Sequence, residues 1–147
     1  MVEEGMAADA AAQIKDLKAR YFRLLDTKQW DEWKLLFTDD LRFEAPQDRP
    51  DQVDHDRESF VNGVRAVIGN AKTVHHGHMP EIELISSTEA RGIWAMEDFI
   101  WWPDARRGSG EPRFLHGFGH YHETYRRTAN GWRIASMKLE RLHLEHA

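Results

Sequence analysis

Two ionisable side chains, Asp26 and His75, have the types and positions needed for acid/base chemistry. Asp26 follows Leu24 and Leu25 at the end of an apolar stripe, where a helix more often ends in Gly, Asn or a basic residue. Apolar neighbours raise the proton affinity of a carboxylate, which suits a general base. From position alone, a turn-forming role for Asp26 is the more common explanation.

His75 opens the strand-like stretch Thr73-Val74-His75-His76-Gly77-His78. Side chains alternate along a strand, so His75 faces one way while His76 and His78 face the other. A lone strand histidine is usually structural or exposed. A histidine facing a carboxylate has its tautomer fixed and its charged form stabilised, so the pair can remove one proton and return another. We expect Asp26 and His75 to form such a pair in a mostly apolar pocket.

Tyr21 is a third candidate, because it belongs to the apolar stripe that precedes Asp26. Its hydroxyl could donate a hydrogen bond to a substrate oxygen, or the ring could simply pack in the core. Five residues of ideal helix amount to roughly 140° of rotation. Tyr21 and Asp26 therefore meet only if the helix ends before Asp26 and the chain turns inward.

Asp98 is a fourth candidate, on a strand whose two faces are both apolar. It shares one face with Trp94, Met96, Ile100 and Trp102, while Glu97 lies on the other. A carboxylate among apolar side chains is desolvated unless it is paired. We favour Asp98 over Glu97 as the inward carboxylate, either as a site group or as half of an ion pair with Lys138 or Arg141.

The elements that would position these residues follow from the hydrophobic pattern. Apolar residues recur at three- and four-residue steps from Ile14 to Leu25, then over 30–37 and 57–68, and predict three helices. Four β-rich stretches follow near 73–85, 90–102, 113–127 and 132–143, with Asn130-Gly131 as a hairpin signal. Helices followed by long antiparallel strands predict an α+β fold. We expect a curved, mostly antiparallel sheet wrapped on the N-terminal helices as a cone that encloses a pocket.

Composition narrows the class of protein. The 147 residues suit a single domain, with residues 1–11 as a flexible tail. A net charge of −5 and scattered basic residues argue against nucleic-acid binding. The apolar runs are too short to span a bilayer, no signal peptide is evident and cysteine is absent. We therefore expect a cytoplasmic protein without a membrane partner.

The histidines raise the question of a metal. His76 and His78 share one strand face, as do His120 and His122, with His116 in line with the second pair and Glu123 close by. Imidazole and carboxylate ligands suit zinc, iron or nickel. His-x-His is nonetheless a weak signal in a chain with nine histidines, so we expect no metal site. No dinucleotide or phosphate-loop fingerprint occurs, which favours chemistry without a cofactor.

Several segments along the chain form a pattern shared with a known family. They are Ile14-Lys15-Asp16-Leu17, Tyr21, Leu24-Leu25-Asp26, Trp30 to Phe37, Val74-His75-His76-Gly77, Tyr121 to Arg127 and Gly131-Trp132-Arg133-Ile134. In these segments the chain resembles the SnoaL-like family of the nuclear-transport-factor-2-like superfamily. The resemblance covers nearly the whole chain and implies the cone-shaped fold, with the acid/base pair of dehydratase members at Asp26 and His75. It also implies site roles for Tyr21, Asp98, and either Lys138 or Arg141.

These observations favour a cofactor-independent lyase of the dehydratase kind, acting on a largely apolar, cyclic small molecule. Trp94, Trp102 and Phe118 are the expected apolar walls, and Lys138 and Arg141 the expected substrate-binding cations. An isomerase of the ketosteroid type would use the same residues, and a non-catalytic ligand-binding or assembly domain is a third alternative. Because both faces of the 90–102 strand are apolar, we expect a homo-oligomer, either a dimer or a trimer.

Overall fold

The computed structural model describes residues 3–147, and its helices lie where the apolar periodicity predicts them. They are α1 (Glu4–Asp26), α2 (Trp30–Lys34) and α3 (Arg57–Ile68). The predicted flexible tail is wrong for residues 4–11, because the alanine-rich start is helical and Ala10 is buried. Met1 and Val2, the rest of that predicted tail, lie outside the described residues. Among the described residues, no helix is long and apolar enough to cross a membrane.

The junction after α1 sets the direction of the Asp26 side chain. The Thr27 hydroxyl donates to the Arg23 carbonyl 2.7 Å away, so the Thr27 side chain bonds back to α1 and does not cap the next helix. Lys28 then takes a left-handed conformation with φ of 60°. This turn ends the helix abruptly. The predicted second helix is correspondingly shorter than expected, and Phe37 begins a strand.

The strands form one mixed six-stranded sheet that is not closed into a barrel. Its order is β2-β1-β6-β5-β4-β3, and every neighbouring pair is antiparallel except β1 and β6. This is the α+β architecture expected from the sequence. Bounds are β1 (Phe37–Glu44), β2 (Val53–Asp54), β3 (Lys72–Leu84), β4 (Glu89–Trp101), β5 (Phe114–Thr128) and β6 (Gly131–His146).

Bulges and one tight turn shape this sheet. The register shifts once between β3 and β4 and twice between β5 and β6, and such irregularities bend strands and increase their twist. The β5–β6 hairpin turns at Ala129-Asn130, and Gly131 follows with φ of 99°. A left-handed residue directly after the turn favours glycine. The hairpin predicted at Asn130-Gly131 is therefore present.

The inner face of the sheet packs on α1 and carries the core. On β4 the inward side chains are Trp94, Met96, Asp98 and Ile100, all buried. The outward side chains include Phe99 and the 42% exposed Trp101, whose rings stack 5.7 Å apart. This aromatic outer face is where the sequence predicts contact with a second copy. That association stays a prediction.

Candidate active site

The Asp26 carboxylate reaches across from the end of α1 to the beginning of β3. It accepts three hydrogen bonds there: from the Thr73 hydroxyl at 2.9 Å, from the His75 backbone N–H at 2.8 Å and from His75 Nδ1 at 2.7 Å. An acidic side chain is unfavourable at a helix C-terminus, and these three donors offset that cost. The structure thus places Asp26 and His75 in direct contact.

The contact fixes the tautomer of His75. An ionised carboxylate can only accept hydrogen bonds, so Nδ1 carries the proton that is shared with Asp26, and Nε2 keeps a lone pair. Within residues 3–147, Nε2 has no hydrogen-bond partner. The His75 side chain is 8% exposed. In the neutral imidazole, Nε2 is therefore a base in a largely buried environment. The negative charge of Asp26 stabilises the imidazolium that forms when Nε2 takes a proton.

Lys28 and Thr73, two polar residues that were not selected from the sequence, also lie at this site. Lys28 Nζ donates to the Thr73 hydroxyl at 2.6 Å, and that hydroxyl in turn donates to Asp26. Burial lowers the pKa of Lys28, and the negative charge of Asp26 opposes the shift. Thr73 could have been found, because it shares the strand face of His75. Lys28 could not, since its approach depends on the left-handed turn.

Asp98 lies beside His75 on the inner face of the sheet. The two residues are direct partners across β3 and β4, which places their Cβ atoms about 4.5–5.5 Å apart. Asp98 is 3% exposed, whereas Glu97 lies on the outer face, so the choice between them made from the sequence agrees with the structure. The site therefore has a second, buried carboxylate next to the imidazole.

Arg141 holds that second carboxylate in a bidentate ion pair. Its Nη1 and Nη2 atoms lie 2.9 and 3.0 Å from the two Asp98 oxygens, and its Nε lies 2.8 and 3.0 Å from the Asp48 oxygens. Burial alone would lower the pKa of Arg141, but the hydrogen bonds and charges of Asp98 and Asp48 outweigh it and raise the pKa. Asp98 is thus half of an ion pair, one of the two alternatives left open by the sequence.

Gly117 makes room for this ion pair. It lies opposite Asp98 on β5, and a Cβ atom at Gly117 would collide with the Arg141 guanidinium and the Asp98 carboxylate. The pair therefore lies flat against the backbone of β5. The role of Gly117 was not predicted, because nothing in a single sequence shows which side chain crosses over a glycine.

We expect Gly117→Ala to destabilise the protein by about 1–3 kcal/mol, as overpacking typically does. The added methyl group would displace Arg141 from Asp98. Urea denaturation followed by circular dichroism measures the change. Gly63→Ala is the matched control: Gly63 lies within α3 with open space around it, and alanine there should stabilise by about 0.5–1 kcal/mol. Equal stability changes at the two glycines would contradict the role of Gly117.

Tyr21 lies in the core, against a buried ion pair that the sequence did not predict. Lys18 Nζ is 2.5 Å from Glu123 Oε2, with both side chains fully buried, and lies over the rings of Tyr21 and Tyr121, 3.6 and 3.9 Å from their centroids. Glu123 also accepts from Tyr125 at 2.6 Å. Lys18 is thus buried, although a charged residue beside an apolar stripe is expected to face solvent. Sequence analysis considered Glu123 beside the strand histidines, whereas Glu123 faces the core.

Burial governs the ionisation of these groups. It lowers the pKa of Lys18, with Glu123 opposing the shift. It raises the pKa of Tyr21, and the negative charges of Glu123, Asp26 and Asp98 raise it further. Burial likewise raises the pKa of Tyr121, whose hydroxyl interacts with that of Tyr21. Both phenols are therefore protonated and remain hydrogen-bond donors.

Two of the expected pocket residues, Phe118 and Lys138, lie outside the site. Phe118 is opposite Glu97, so it belongs to the outer face, 4.3 Å from the His116 ring. Lys138 is also outside, 2.9 Å from Glu140 and 43% exposed. The reason is alternation: Gly117 and Gly119 take the inward positions of β5, while Met137, Leu139 and Arg141 take those of β6. The predictions that Phe118 and Lys138 line the site are therefore wrong.

The two tryptophans expected as walls have different surroundings. Trp94 is inward and buried, and its Nε1 donates to the Tyr125 hydroxyl at 2.9 Å. Trp102 lies beyond the end of β4, where its Nε1 donates to the Val67 carbonyl at 2.8 Å and Arg106 covers its ring. Trp94 thus belongs to the apolar core below the site, and Trp102 anchors the end of α3.

The outer-face histidines surround Glu97. His116 Nε2 lies 3.1 Å from Glu97, and nitrogens of His76 and His78 lie 3.8 Å from it. The hydrogen bond from His116 outweighs the opposing effect of desolvation and, with the charges of all three histidines, lowers the pKa of Glu97. In the part of the chain that the structure describes, no three His, Asp or Glu side chains are arranged to hold a metal ion.

The fold and the site together define an α+β cone with an inward Asp–His pair at one end of the sheet. Residues 6–138 match the SnoaL-like domain family, and the chain belongs to that family. It is 26% identical to the probable cyclase FGR4 of Gibberella zeae, over 94% of this chain and 95% of the relative.

Two solved structures have a similar fold. A candidate scytalone dehydratase from Novosphingobium aromaticivorans superposes with a TM-score of 0.84 at 17% identity, covering 99% of this chain and 92% of the other. A type 2 hexachlorocyclohexane dehydrochlorinase superposes with a TM-score of 0.80 at 15% identity, covering 99% and 93%. At these identities the likeness establishes the fold alone.

Proposed function

We propose that this protein is a cofactor-independent lyase of the dehydratase kind. His75 is the general base, and Asp26 orients the His75 ring and stabilises its protonated form. The observation that carries the proposal is the Asp26–His75 contact, in which the carboxylate holds Nδ1 and no residue of the described chain hydrogen-bonds Nε2. General acid/base assistance of this kind contributes about 10²–10⁴-fold in rate.

The reaction needs one base and one returned proton. His75 Nε2 takes a proton from a carbon next to an activating carbonyl, and the electron pair of that C–H bond forms a carbon–carbon double bond. The C–O bond of a neighbouring hydroxyl breaks, and the departing oxygen takes the proton back from the imidazolium to leave as water. Asp26 stabilises the imidazolium between these two transfers.

The surrounding groups supply polarity at one end of an otherwise apolar site. Arg141 is the cation that we expect to contact a substrate oxygen; it is held by Asp98 and Asp48, whose two carboxylates offset its charge. Tyr21 is a protonated phenol and can donate a hydrogen bond to the same oxygen. The inward apolar residues Trp94, Met96 and Ile100 suit a largely apolar, cyclic small molecule.

The names of the relatives agree with an enzyme of this class, but they do not decide which reaction it catalyses. A dehydratase and a dehydrochlorinase are by name elimination enzymes, and the relative in Gibberella zeae is named a probable cyclase. An isomerase would use the same base and return the proton to a different carbon. A binding protein would use neither step.

Deuterium exchange separates these possibilities. Cyclic β-hydroxy ketones are incubated with the protein in D₂O and followed by NMR and mass spectrometry. We expect loss of water with formation of a conjugated double bond, and no reaction with His75→Gln. With cyclic β,γ-unsaturated ketones as a second substrate series, deuterium uptake with a shifted double bond would instead identify an isomerase. Ligand binding without exchange or elimination would contradict the enzymatic proposal.

A further inference from the structure

A basic cleft lies at the opposite end of β6 from the acid/base site. It is formed where β1 begins, where α3 begins and where β5 turns into β6. Eight residues of β6 separate Arg133 in this cleft from Arg141, a distance of roughly 26 Å along an extended strand. Its charged lining residues are three arginines, Arg57, Arg126 and Arg133, and two acids, Asp39 and Asp40, and the lining also includes Asn130.

Two of the three arginines in the cleft have carboxylate partners. Arg57 Nη2 lies 2.8 Å from Asp39, and Arg57 Nη1 donates to the Phe37 carbonyl. Arg126 Nη1 lies 3.0 Å from Asp40. Both acids lie on the rim and are more than half exposed. The negative charges of Asp39 and Asp40 are therefore paired near the surface, and the inner part of the cleft keeps a positive charge.

Arg133 differs from its two neighbours. Its one hydrogen bond within residues 3–147 runs from Nη1 to the Trp132 carbonyl at 2.8 Å, and no carboxylate of the described chain lies within 4 Å of it. Burial lowers the pKa of Arg133, and the positive charges of Arg20 and Arg57 lower it further. Within residues 3–147, Arg133 is therefore a partly buried cation near like charges that forms no ion pair of its own.

Such an arrangement is unfavourable unless an anion completes it. Partly desolvated charges need partners, and the planar guanidinium matches the two oxygens of a carboxylate or phosphate. Arg20 lines the neighbouring depression on the far side of Arg133, together with Asp16, and the positive charges of Arg20 and Arg57 both act on Arg133. The cleft is basic although the whole chain carries a net charge of −5.

We propose that Arg133, with Arg57 and Arg20 beside it, binds the oxyanion of a small molecule, either a carboxylate or a phosphate group. This site is separate from the Asp26–His75 pair and does not depend on the proposed lyase activity. Asn130 in the same lining can donate its amide N–H to an anion.

The test is titration of the full chain with sodium phosphate and, in a second series, sodium acetate, at constant ionic strength. Amide chemical shifts in ¹⁵N-labelled protein report the binding. We expect saturable shifts that centre on 130–134 and on the start of α3, and the probe that binds tighter distinguishes phosphate from carboxylate. Wild-type protein that shows no saturable shift with either probe would overturn the proposal.

Variants assign the site to its arginine. Arg133→Gln should weaken the binding by about tenfold or more, because a hydrogen-bonded charge is lost. Arg133→Lys keeps the charge without the planar guanidinium group and should weaken anion binding less. If the Gln variant does not fold, the affinity of the Lys variant tests whether Arg133 forms the site. Arg107→Gln, at an exposed arginine far along the chain, should bind like wild type. Unchanged affinity in Arg133→Lys and Arg133→Gln, or equal loss in Arg107→Gln, would contradict the assignment.

Discussion

Asp26→Asn is expected to lower turnover by about 10²–10⁴-fold, the range that general acid/base assistance supplies. Asparagine keeps the size of the side chain but loses the charge that stabilises the His75 imidazolium. It also has a single acceptor oxygen for the three donors that now converge on the carboxylate. Steady-state kinetics on whichever β-hydroxy ketone the exchange experiment identifies would measure the effect, with circular dichroism to verify the fold.

The matched control for Asp26→Asn is Thr73→Val. It removes one of the donors to Asp26 and leaves the carboxylate and the imidazole in place. We expect kcat of this variant to stay within about tenfold of wild type, because one hydrogen bond contributes about 1 kcal/mol. If Thr73→Val and Asp26→Asn lost activity equally, the loss would come from the geometry of the α1–β3 junction, and the charge of Asp26 would have no special role.

Lys18→Met is expected to reduce the free energy of unfolding by about 3–5 kcal/mol, which is the usual cost of removing one partner of a buried ion pair. The change leaves Glu123 fully buried with a charge and only Tyr125 as a hydrogen-bond donor. It also removes the ammonium group from between the rings of Tyr21 and Tyr121. Urea denaturation measures the loss.

Two further variants show whether the buried charge causes this loss. Lys18→Met combined with Glu123→Gln should recover most of the stability, because no unpaired charge remains in the core. Lys15→Met is the matched surface control: Lys15 is exposed on the same helix, and its replacement should change stability by less than about 0.5 kcal/mol. A double variant as unstable as Lys18→Met alone would instead indicate a packing defect around the methionine.

Lys18 also shows how far the sequence could predict the fold. The apolar stripe of α1 at Ile14, Leu17, Tyr21 and Leu24 is confirmed, and all four side chains are buried. Lys18 lies on the flank of that stripe, one turn after Ile14 and within one turn of Tyr21. The helix packs against both β3 and β6, so its buried arc is wider than the apolar stripe and includes a lysine. The burial of Lys18 is possible only because Glu123, on the inner face of β5, supplies a carboxylate partner.

Asp98 and Arg141 show the same dependence at the site. Alternation along β4 put Asp98 on the face of Trp94 and Met96, and the structure agrees. The choice of its partner was beyond the sequence, since Lys138 and Arg141 are both basic residues of the last strand. The inward position of Arg141 and the space over Gly117 decide it. Phe118 was misplaced because the register between β4 and β5 was unknown, and the residue opposite Glu97 must share its face.

The sequence by itself determined the three helices and the four long strands in outline, because period and turn residues are local properties of the chain. It also determined that Asp26 comes at a helix end and His75 on one strand face. The tertiary structure alone decided that these two groups touch, that no residue within 3–147 hydrogen-bonds Nε2, and that Asp98 pairs with Arg141. These are contacts between residues 43 to 49 positions apart in the chain, and they depend on register and on the left-handed turn at Lys28, which no local pattern encodes.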